Sequence, residues 1–530
     1  MASNGYIEKA KVNLLLQSNS FDSATWPKPD ATVTSGQSGY DGSNDAWLLD
    51  STTAGGNINQ GYSVTGVVNF SIYAKKGTAD GIRIRFDKTT DSNLYIDLND
   101  GSEANTPTNL IDYSATNIGS GWYKISMAFL SAGPILFRIY PTDDTGTAVI
   151  GTIYIQDAQL NYGLVAQDYV ETTTTSVVSG ITNDLPRLDY SGGASCPSLK
   201  LEPSRQNLIP HSEYAGSWAL NGVTIQSNDI TSPEGVINAT EVFASGSAGN
   251  RLERTGFSLS GDYTFSVFLK KGTSTKTLFF DGVKGVQIDW SSDGVPVVTG
   301  HSGGVPAAFD YDDYGNSWYR VWFRDSYSGT RSFQIFPDRN GGSDSVYFYG
   351  AQLEAGSYPT SYIPTYGTSN SRNSESCSKT GISSLIGQTE GSVFIDFDLN
   401  ALEQSGQRIF RIGQSGLSFA NAVSLEYNPP NQLQFINYAS GILNVQIIKT
   451  TTTSERLKIA VRYKENDFAM YVNGVQIGTD TSATLAGSFA DFFVGGNSVA
   501  ASGQIGSGIN QFLIFQTGLT NAQLAELSTL

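Results

Sequence analysis

Residues 70–78 read Phe-Ser-Ile-Tyr-Ala-Lys-Lys-Gly-Thr, and residues 265–273 read Phe-Ser-Val-Phe-Leu-Lys-Lys-Gly-Thr. In each stretch apolar residues alternate along a short run that ends in a turn signal, the pattern of a half-buried β-strand. Three further motifs recur in the same order about 195 residues later: Asn13-Leu14-Leu15 as Asn207-Leu208-Ile209, Trp122-Tyr123-Lys124 as Trp318-Tyr319-Arg320, and Ala158-Gln159-Leu160 as Ala351-Gln352-Leu353. Solenoid repeats reach only about 50 residues, so this period indicates two copies of a whole domain.

Short alternating runs with turn signals between them, and no sustained helical period, predict antiparallel β-sandwiches. We therefore expect an all-β protein with tandem sandwiches, module 1 (residues 12–175) and module 2 (206–370), after an N-terminal segment (1–11). Residues 176–205 contain Pro186, Pro197 and Pro203, which disfavour a central strand. Leucines such as Leu185 and Leu199 make this segment too apolar for a flexible tether, so we interpret it as an extended connector.

The C-terminal part of the chain (371–530, module 3) does not repeat the others and predicts a different β-sandwich. Val393, Ile395 and Phe397 alternate along one strand. Asn473-Gly474 predicts a hairpin turn. Thr520 with Gln523 three residues later forms a capping box, which predicts a short C-terminal helix.

The composition excludes several classes of function. The net charge is −17 and only 15% of residues are charged, without the basic clusters that nucleic acid requires. No apolar run approaches the roughly 18 residues of a membrane span, so we expect no membrane insertion. The first 20 residues lack a secretory signal. A chain of extracellular composition without an export signal favours a virus structural protein, made in the host cytoplasm and located on the virion surface.

The sequence contains few residues in patterns that are typical of a catalytic site. Cys196 and Cys377 form neither a disulfide framework nor a zinc site. A nucleophilic triad needs a positioned base, but the first copy has Gln17 at the position of His211, and His301 lies in a glycine-rich loop. Asp396 and Asp398 share one strand face and could form a glycosidase pair, although the solvated face of a half-buried strand is the favoured interpretation. We therefore expect no enzyme activity.

Two loops offer candidate binding residues. Asp41 and Asp45 supply oxygen ligands that suit calcium, while an ordinary turn is the favoured alternative. A second segment mixes rings with carboxylates in a way that suits carbohydrate; its candidate residues are Phe309, Tyr311, Asp312 and Tyr314. Trp122 and Trp318 lie amid apolar neighbours and are predicted to belong to the core.

Several of these motifs resemble a known group of proteins. Residues 351–356 (Ala-Gln-Leu-Glu-Ala-Gly) and 360–365 (Thr-Ser-Tyr-Ile-Pro-Thr), with the connector motifs at 185–190 and 196–208, resemble modules of tailed-bacteriophage virion proteins. In those proteins the modules are similar to carbohydrate-binding jelly rolls. Module 3 resembles the laminin-G/concanavalin A-like sandwich through residues 471–474, residues 512–515 and the C-terminal helix.

The resemblance implies a virion surface protein, either a tail or head fibre or a capsid decoration, that contacts host-surface glycans without catalysis. Its implied partners are other capsid or tail proteins and further copies of itself, by analogy a trimer. No cofactor is implied, apart from the calcium considered above. Two alternatives stay open: a capsular polysaccharide depolymerase, and a purely structural virion protein that binds no sugar.

Overall fold

The computed structural model describes residues 6–88, 90–179, 186–190, 197–375, 377–399, 407–414, 420–428, 431–451, 455–495 and 507–529. Within these ranges the chain forms 35 β-strands, two single-turn 3-10 helices and one α-helix. The predicted all-β fold is confirmed. None of the helices in the described ranges has the length and apolar character needed to cross a membrane.

Module 1 is an antiparallel sandwich. Its strands are β1 (Lys11–Asn13), β2 (Ala31–Gln37), β3 (Ala46–Ser51), β4 (Ile58–Lys76), β5 (Gly81–Asp87), β6 (Ser92–Asp97), β7 (Asp112–Gly119), β8 (Trp122–Thr142), β9 (Gly151–Tyr162) and β10 (Val177–Ser179). The strand order is β2-β3-β9-β4-β8-β5-β6, with β7 also paired to β8. The short strands β1 and β10 pair with each other where the chain enters and leaves the module.

The long strands β4 and β8 belong to both layers of this sandwich. They pair over their whole length, but only the second half of β4 pairs with β9 and only the second half of β8 pairs with β5. Both strands turn at glycines with positive φ, Gly66 (113°) and Gly133 (146°), a conformation that costs glycine little. The two halves then face each other, and Phe70 of β4 lies 5.6 Å from Phe86 of β5, centroid to centroid, in the core.

The connector carries β11 (Leu188–Asp189) and β12 (Ser198–Leu201), and module 2 follows. The strands of module 2 are β13 (Arg205–Asn207), β14 (Ala219–Asn221), β15 (Val223–Thr231), β16 (Ile237–Ala244), β17 (Arg251–Lys271), β18 (Lys276–Phe280), β19 (Gly285–Trp290), β20 (Pro296–Gly300), β21 (Ala308–Asp313), β22 (Tyr319–Phe336), β23 (Ser345–Ala355) and β24 (Asn370–Arg372), with a 3-10 turn at Ala215–Ser217. The order β15-β16-β23-β17-β22-β18-β19 repeats that of module 1, and β20 extends it.

The duplication extends to individual hydrogen bonds. The Asn13 amide donates to the carbonyls of Ala158 and Val170 at 3.1 and 2.9 Å. The Asn207 amide makes the corresponding bonds, to the carbonyls of Ala351 and Ile363, at 3.0 and 2.9 Å. Trp122 and Trp318 are each 1% exposed, as predicted for core residues. The corner glycines also recur, as Gly261 and Gly329 with φ of 97° and 115°.

Module 3 is a two-sheet sandwich that also takes in the connector. Its own elements are β25 (Cys377–Lys379), a 3-10 turn (Ser383–Leu385), β26 (Glu390–Leu399), β27 (Gln407–Gly413), β28 (Ala422–Asn428), β29 (Gln432–Ala439), β30 (Ile442–Thr450), β31 (Glu455–Lys464), β32 (Phe468–Val472), β33 (Val475–Asp480), β34 (Asp491–Val494), β35 (Ser507–Phe515) and α1 (Asn521–Leu527). One sheet has the order β11-β12-β35-β26-β31-β32-β33 and the other β25-β34-β27-β28-β29-β30.

The hairpin turn and the C-terminal helix predicted for module 3 are both present in the structure. Asn473 and Gly474 connect β32 to β33 with φ of 49° and 81°. Thr520 caps α1 in a complete capping box with Gln523. The connector strands β11 and β12 lie at the edge of one sheet of module 3, where proline is tolerated. Leu185 of the connector lies outside the described residues.

The three modules are held together by buried contacts. Leu201 of the connector is 4% exposed and belongs to the core of module 3. The backbone N–H of Val67 in module 1 donates to the carbonyl of Tyr366 in module 2 at 2.6 Å. The rings of Tyr162 and Tyr366 stack across the same junction with centroids 5.6 Å apart. Module 1 therefore contacts module 2 directly, and the connector contributes Leu201 to the core of module 3.

Candidate functional site

A polar cavity of about 430 Å³ opens on module 1. We call it the module 1 cavity. Five carboxylates line it: Asp41, Asp45, Asp157, Asp168 and Glu171. The other lining residues are Tyr40, Tyr73, Tyr169, Asn19 and Lys124. The cavity has the volume of a small-molecule site, which typically starts at about 300 Å³.

Strand alternation places the floor of the cavity on the outer face of the sheet. Ile72 and Ala74 of β4 are fully buried in the core, so Tyr73 between them points to the opposite face. Asp157 lies on the neighbouring strand β9 at a β-bulge, where its φ is 55°. A bulge places two residues opposite one and can redirect a side chain. Asp157 therefore reaches the same face as Tyr73.

The turn between β2 and β3 forms one wall. Tyr40 stacks on Tyr73 with ring centroids 3.7 Å apart and planes within 10°, and its hydroxyl donates to Oδ2 of Asp157 at 2.9 Å. The side-chain amide of Gln156 donates to Oδ1 of Asp45 at 2.7 Å. These bonds fix the turn against β9, so the cavity wall is held by side chains distant in sequence.

The charges in the cavity are unbalanced. Burial raises the pKa of Asp157 to about 6, the hydrogen bond from Tyr40 opposes this, and the negative charges of Asp45 and Asp41 add to it. The hydroxyl of Tyr169 is a further hydrogen-bond donor to Asp157. A hydrogen bond from Ser43 lowers the pKa of Asp41. The negative charges of Asp45 and Asp41 therefore make Asp157 harder to ionise, the situation in which a cation is attracted.

Module 2 has a closed pocket at the corresponding position, occupied by a lysine of the N-terminal segment. We call it the lysine pocket; it is formed by Lys9, Glu213, Glu234, Tyr349, Tyr362 and Tyr366. The Lys9 ammonium lies 3.1 Å from Glu213 and 2.6 Å from Glu234. Its side chain is only 8% exposed. The lysine thus neutralises two carboxylates that burial would otherwise destabilise.

Aromatic rings complete the lysine pocket. The hydroxyl of Tyr362 donates to Glu213 and that of Tyr349 to Glu234, both at 2.9 Å. The ammonium also lies 5.9 and 5.8 Å from the ring centroids of Tyr349 and Tyr366, within the range of cation–π attraction. Burial alone would lower the pKa of Lys9, but the two glutamates raise it well above its ordinary value.

The structure separates the residues of the predicted glycan-binding segment. Phe309 and Tyr311 of β21 pack against the core of module 2. Asp312 is exposed on the opposite face of the strand. Tyr314 follows the strand, and its ring lies edge-on to Phe268 at 4.8 Å between centroids. The four residues therefore do not share one surface, and glycan binding by this segment stays a prediction.

The predicted calcium candidates both line the module 1 cavity. The hydroxyl of Ser43 contacts Oδ1 of Asp41 at 2.7 Å and also bonds to Asp45. Among the described residues, no group of three or more His, Cys, Asp or Glu is arranged to hold a metal ion. Calcium binding stays a prediction. Sequence reasoning missed Tyr73 and Asp157, because no local motif connects them to the 41–45 turn.

The candidate carboxylate pair of module 3 is bound by other side chains. Arg456 donates two hydrogen bonds to Asp396 at 2.9 and 2.8 Å, and the Asn510 amide donates to Asp398 at 3.2 Å. The Asp396 side chain is 5% exposed. This two-pronged arrangement engages both carboxylate oxygens of Asp396.

The remaining candidate groups lie apart from one another. The carbonyl of His211 accepts a bond from the Trp218 indole at 2.8 Å, and the His301 ring lies edge-on to Phe280 at 5.5 Å. Cys377 is a free, half-buried thiol whose pKa is raised by burial, which disfavours the reactive thiolate. Cys196 lies outside the described residues.

No protein-family model matches the chain, and no curated protein matches it. Among solved structures, it is similar over 27% of its length to 84% of the CBM40 of Ruminococcus gnavus IT-sialidase bound to α2,3 sialyllactose, at 12% identity and a TM-score of 0.24. It is similar over 27% of its length to 72% of an SAP-like pentraxin from Limulus polyphemus, at 13% identity and a TM-score of 0.23.

A third similar structure is domain 4 of AbnA, a GH43 extracellular arabinanase from Geobacillus stearothermophilus, in complex with arabinotriose. This chain covers 73% of that domain with 31% of its own length, at 17% identity and a TM-score of 0.24. TM-scores of this size support no functional argument.

Proposed function

We propose that this protein is a non-enzymatic surface protein of a bacteriophage virion and that module 1 binds a glycan of the host surface. One observation carries the binding proposal: the module 1 cavity joins the tyrosine rings of Tyr40 and Tyr73 to several carboxylates in about 430 Å³. Sugars present hydroxyl donors on a ring with apolar faces. Carboxylates accept bonds from such donors, and aromatic rings pack against such faces.

The virion part of the proposal is supported by sequence. Residues 351–356 and 360–365, together with the connector, resemble modules of tailed-phage fibres and decorations. Such proteins work as oligomers, so we propose a homo-oligomer, by analogy a trimer, attached to other capsid or tail proteins. The molar mass of the purified chain in solution, measured by light scattering, tests this. A monomer in solution and in assembled particles would contradict it.

Glycan binding is tested by calorimetric titration of the full chain with host-surface oligosaccharides selected on an array. We expect Tyr73→Ala to weaken binding by about 10-fold, because Tyr73 is the ring on which Tyr40 stacks and such an aromatic pair contributes about 0.5–1.5 kcal/mol. Asp144→Asn is the matched control, since Asp144 is exposed in module 1 and does not line the cavity. Loss of binding on Tyr314→Ala instead would place the site at the 309–314 segment.

Absence of catalysis is proposed because Arg456 engages both oxygens of Asp396, which leaves no free carboxylate oxygen there for acid–base work. Incubation with host capsular polysaccharide, followed by a reducing-end assay, tests it. New reducing ends that disappear on Asp396→Asn would establish the depolymerase alternative. An array and a titration without any bound glycan would favour the purely structural alternative.

A further inference from the structure

The lysine pocket and the module 1 cavity occupy the same position in the two copies of one fold. Asn13 and Asn207 make the same hydrogen bonds, to Ala158 of β9 and to Ala351 of β23. These two alanines are therefore equivalent positions in the two modules. By the same offset Tyr169 corresponds to Tyr362, and each hydroxyl lies 2.6 Å from a serine hydroxyl, Ser18 or Ser212. The two sites can therefore be compared residue by residue.

One acidic position is shared by the two sites, whereas Glu213 of module 2, next to Ser212, corresponds to Asn19 of module 1, next to Ser18. On β3 and β16, Trp47 pairs with Ile155 and Thr240 pairs with Phe348, which are equivalent positions. Trp47 and Thr240 are therefore equivalent, and the residue six positions before each of them is Asp41 in module 1 and Glu234 in module 2. In the lysine pocket Glu234 binds the Lys9 ammonium at 2.6 Å.

Module 1 has more negative charge at this position than module 2. Asp45 replaces Asn238, and Asp157 replaces Gly350 at the bulge, where both residues have positive φ, 55° and 60°. The charges acting on Asp157 are those of Asp41 and Asp45, both negative. Two carboxylates surround an ammonium ion in module 2, whereas Asp41, Asp45 and Asp157 line the module 1 cavity together with Lys124. A bound cation would relieve the repulsion of Asp157 by Asp41 and Asp45.

The two sites differ in their apolar part, and this difference indicates the kind of ligand. In module 2, Ile7 of the N-terminal segment packs against the cluster that contains Phe268 and Trp318. Their counterparts in module 1 are Tyr73 and Trp122, and the ring of Tyr40 covers them, at 3.7 and 6.3 Å between centroids. A side chain of module 1 thus fills the position where a chain segment docks in module 2. The acidic part of the cavity is left open for a compact ligand.

We propose that the module 1 cavity binds the primary ammonium group of an amino sugar, a hexosamine unit whose nitrogen carries no acetyl group. This inference rests on the proposed glycan-binding function and specifies its ligand. Asp41, Asp45 and Asp157 hold the ammonium as Glu213 and Glu234 hold that of Lys9. The rings of Tyr40 and Tyr73 and the hydroxyl of Tyr169 bound the space for the sugar ring.

The test is a calorimetric titration of the full chain with three probes near neutral pH. The probes are a β-1,4-linked glucosamine trisaccharide, its N-acetylated form and the peptide Tyr-Ile-Glu-Lys-Ala, which copies residues 6–10. We expect the amine-bearing trisaccharide to bind at least about 10-fold more tightly than the acetylated one, since hydrogen bonds to charged groups are the stronger class. Asp41→Asn and Asp45→Asn should each reduce that preference, and Asp144→Asn should leave it unchanged.

The outcomes separate the two proposals. Equal affinity for both trisaccharides overturns the ammonium inference and leaves glycan binding standing. Binding of the peptide alone overturns both, because the cavity would then receive a protein segment as the lysine pocket does. Asp157→Asn serves as a second variant, and its thermal denaturation shows whether it is folded. A folded variant that has lost the preference for the amine-bearing trisaccharide supports the inference. A folded variant that keeps this preference contradicts the inference.

Discussion

Replacing Lys9 with methionine tests whether the N-terminal segment is held on module 2 by a buried charge. Methionine keeps an unbranched apolar side chain against Tyr349 and Tyr366 but removes the ammonium. Glu213 is 2% and Glu234 14% exposed, so both carboxylates lose their cation without gaining water. Removing one partner of a buried ion pair costs about 3–5 kcal/mol, which lowers the melting temperature of a domain of this size by roughly 6–20 °C.

The assay is differential scanning calorimetry of the full chain, with hydrogen exchange of the β23 amides to identify the transition of module 2. The matched control is Lys11→Met, because Lys11 and its partner Asp168 are 45% and 79% exposed. An exposed pair contributes about 0–1 kcal/mol. If Lys9→Met lowers the free energy of unfolding no more than this control does, the account of the lysine pocket is wrong.

The loss of stability caused by Lys9→Met should also depend on pH. Burial opposes ionisation of Glu234, but the Lys9 ammonium outweighs it and lowers the pKa of this carboxyl. In the wild type the stabilisation from Glu234 is therefore present above its ordinary pKa and is lost as the pH falls through the lower folded value. Without Lys9, burial and the repulsion between Glu213 and Glu234 favour protonation of these carboxylates. We expect the Lys9→Met variant to lose less stability near pH 5 than near pH 8.

Three further measurements test other parts of the structure. Gly66→Ala should destabilise the protein by more than about 3 kcal/mol in urea unfolding, because its Cβ would lie 2.0 Å from the carbonyl oxygen of Tyr366. Gly133 has a φ of 146° and open space around it, so Gly133→Ala should cost only the backbone strain of about 1–3 kcal/mol. Equal losses of stability in the two variants would contradict this reasoning. Thr520→Ala should lower the stability of module 3 by about 1 kcal/mol through loss of the helix cap, and an unchanged melting transition would refute it. Between pH 5 and pH 7 the change in affinity for the amine-bearing trisaccharide should differ between the wild type and Asp157→Asn, since Asp157, with a pKa of about 6, becomes an anion in this interval only in the wild type. Superimposable pH profiles would count against the role of this carboxylate.

The parts of the structure that follow from neighbouring residues were predictable from sequence. A period of two places Phe70, Ile72 and Ala74 in the core whatever the strand pairs with. Asn473-Gly474 forms its turn because both residues tolerate positive φ. The duplication was also visible, because residues such as Asn13 and Asn207 make the same bonds in each copy.

The prediction for residues 309–314, which stays untested, depends on information that the segment itself does not contain. Rings and carboxylates alternate in this stretch, which suits a sugar, but alternation on a strand also sends neighbouring side chains to opposite faces. The structure places Phe309 and Tyr311 against the core. Which face is solvated depends on the strand pairing of β21 with β22, and that information is not contained in the segment.

By itself, the sequence determined the fold class, the tandem repeat and the short elements of module 3, because side-chain alternation, turn residues and helix caps act over a few positions. Only the tertiary structure decided the two sites. The ammonium of Lys9 meets Glu213 and Glu234, and Asp157 meets the 41–45 turn, through contacts between residues more than a hundred positions apart. Such charges interact only once the path of the chain has placed them in one cavity away from bulk water, where their attraction and repulsion become strong.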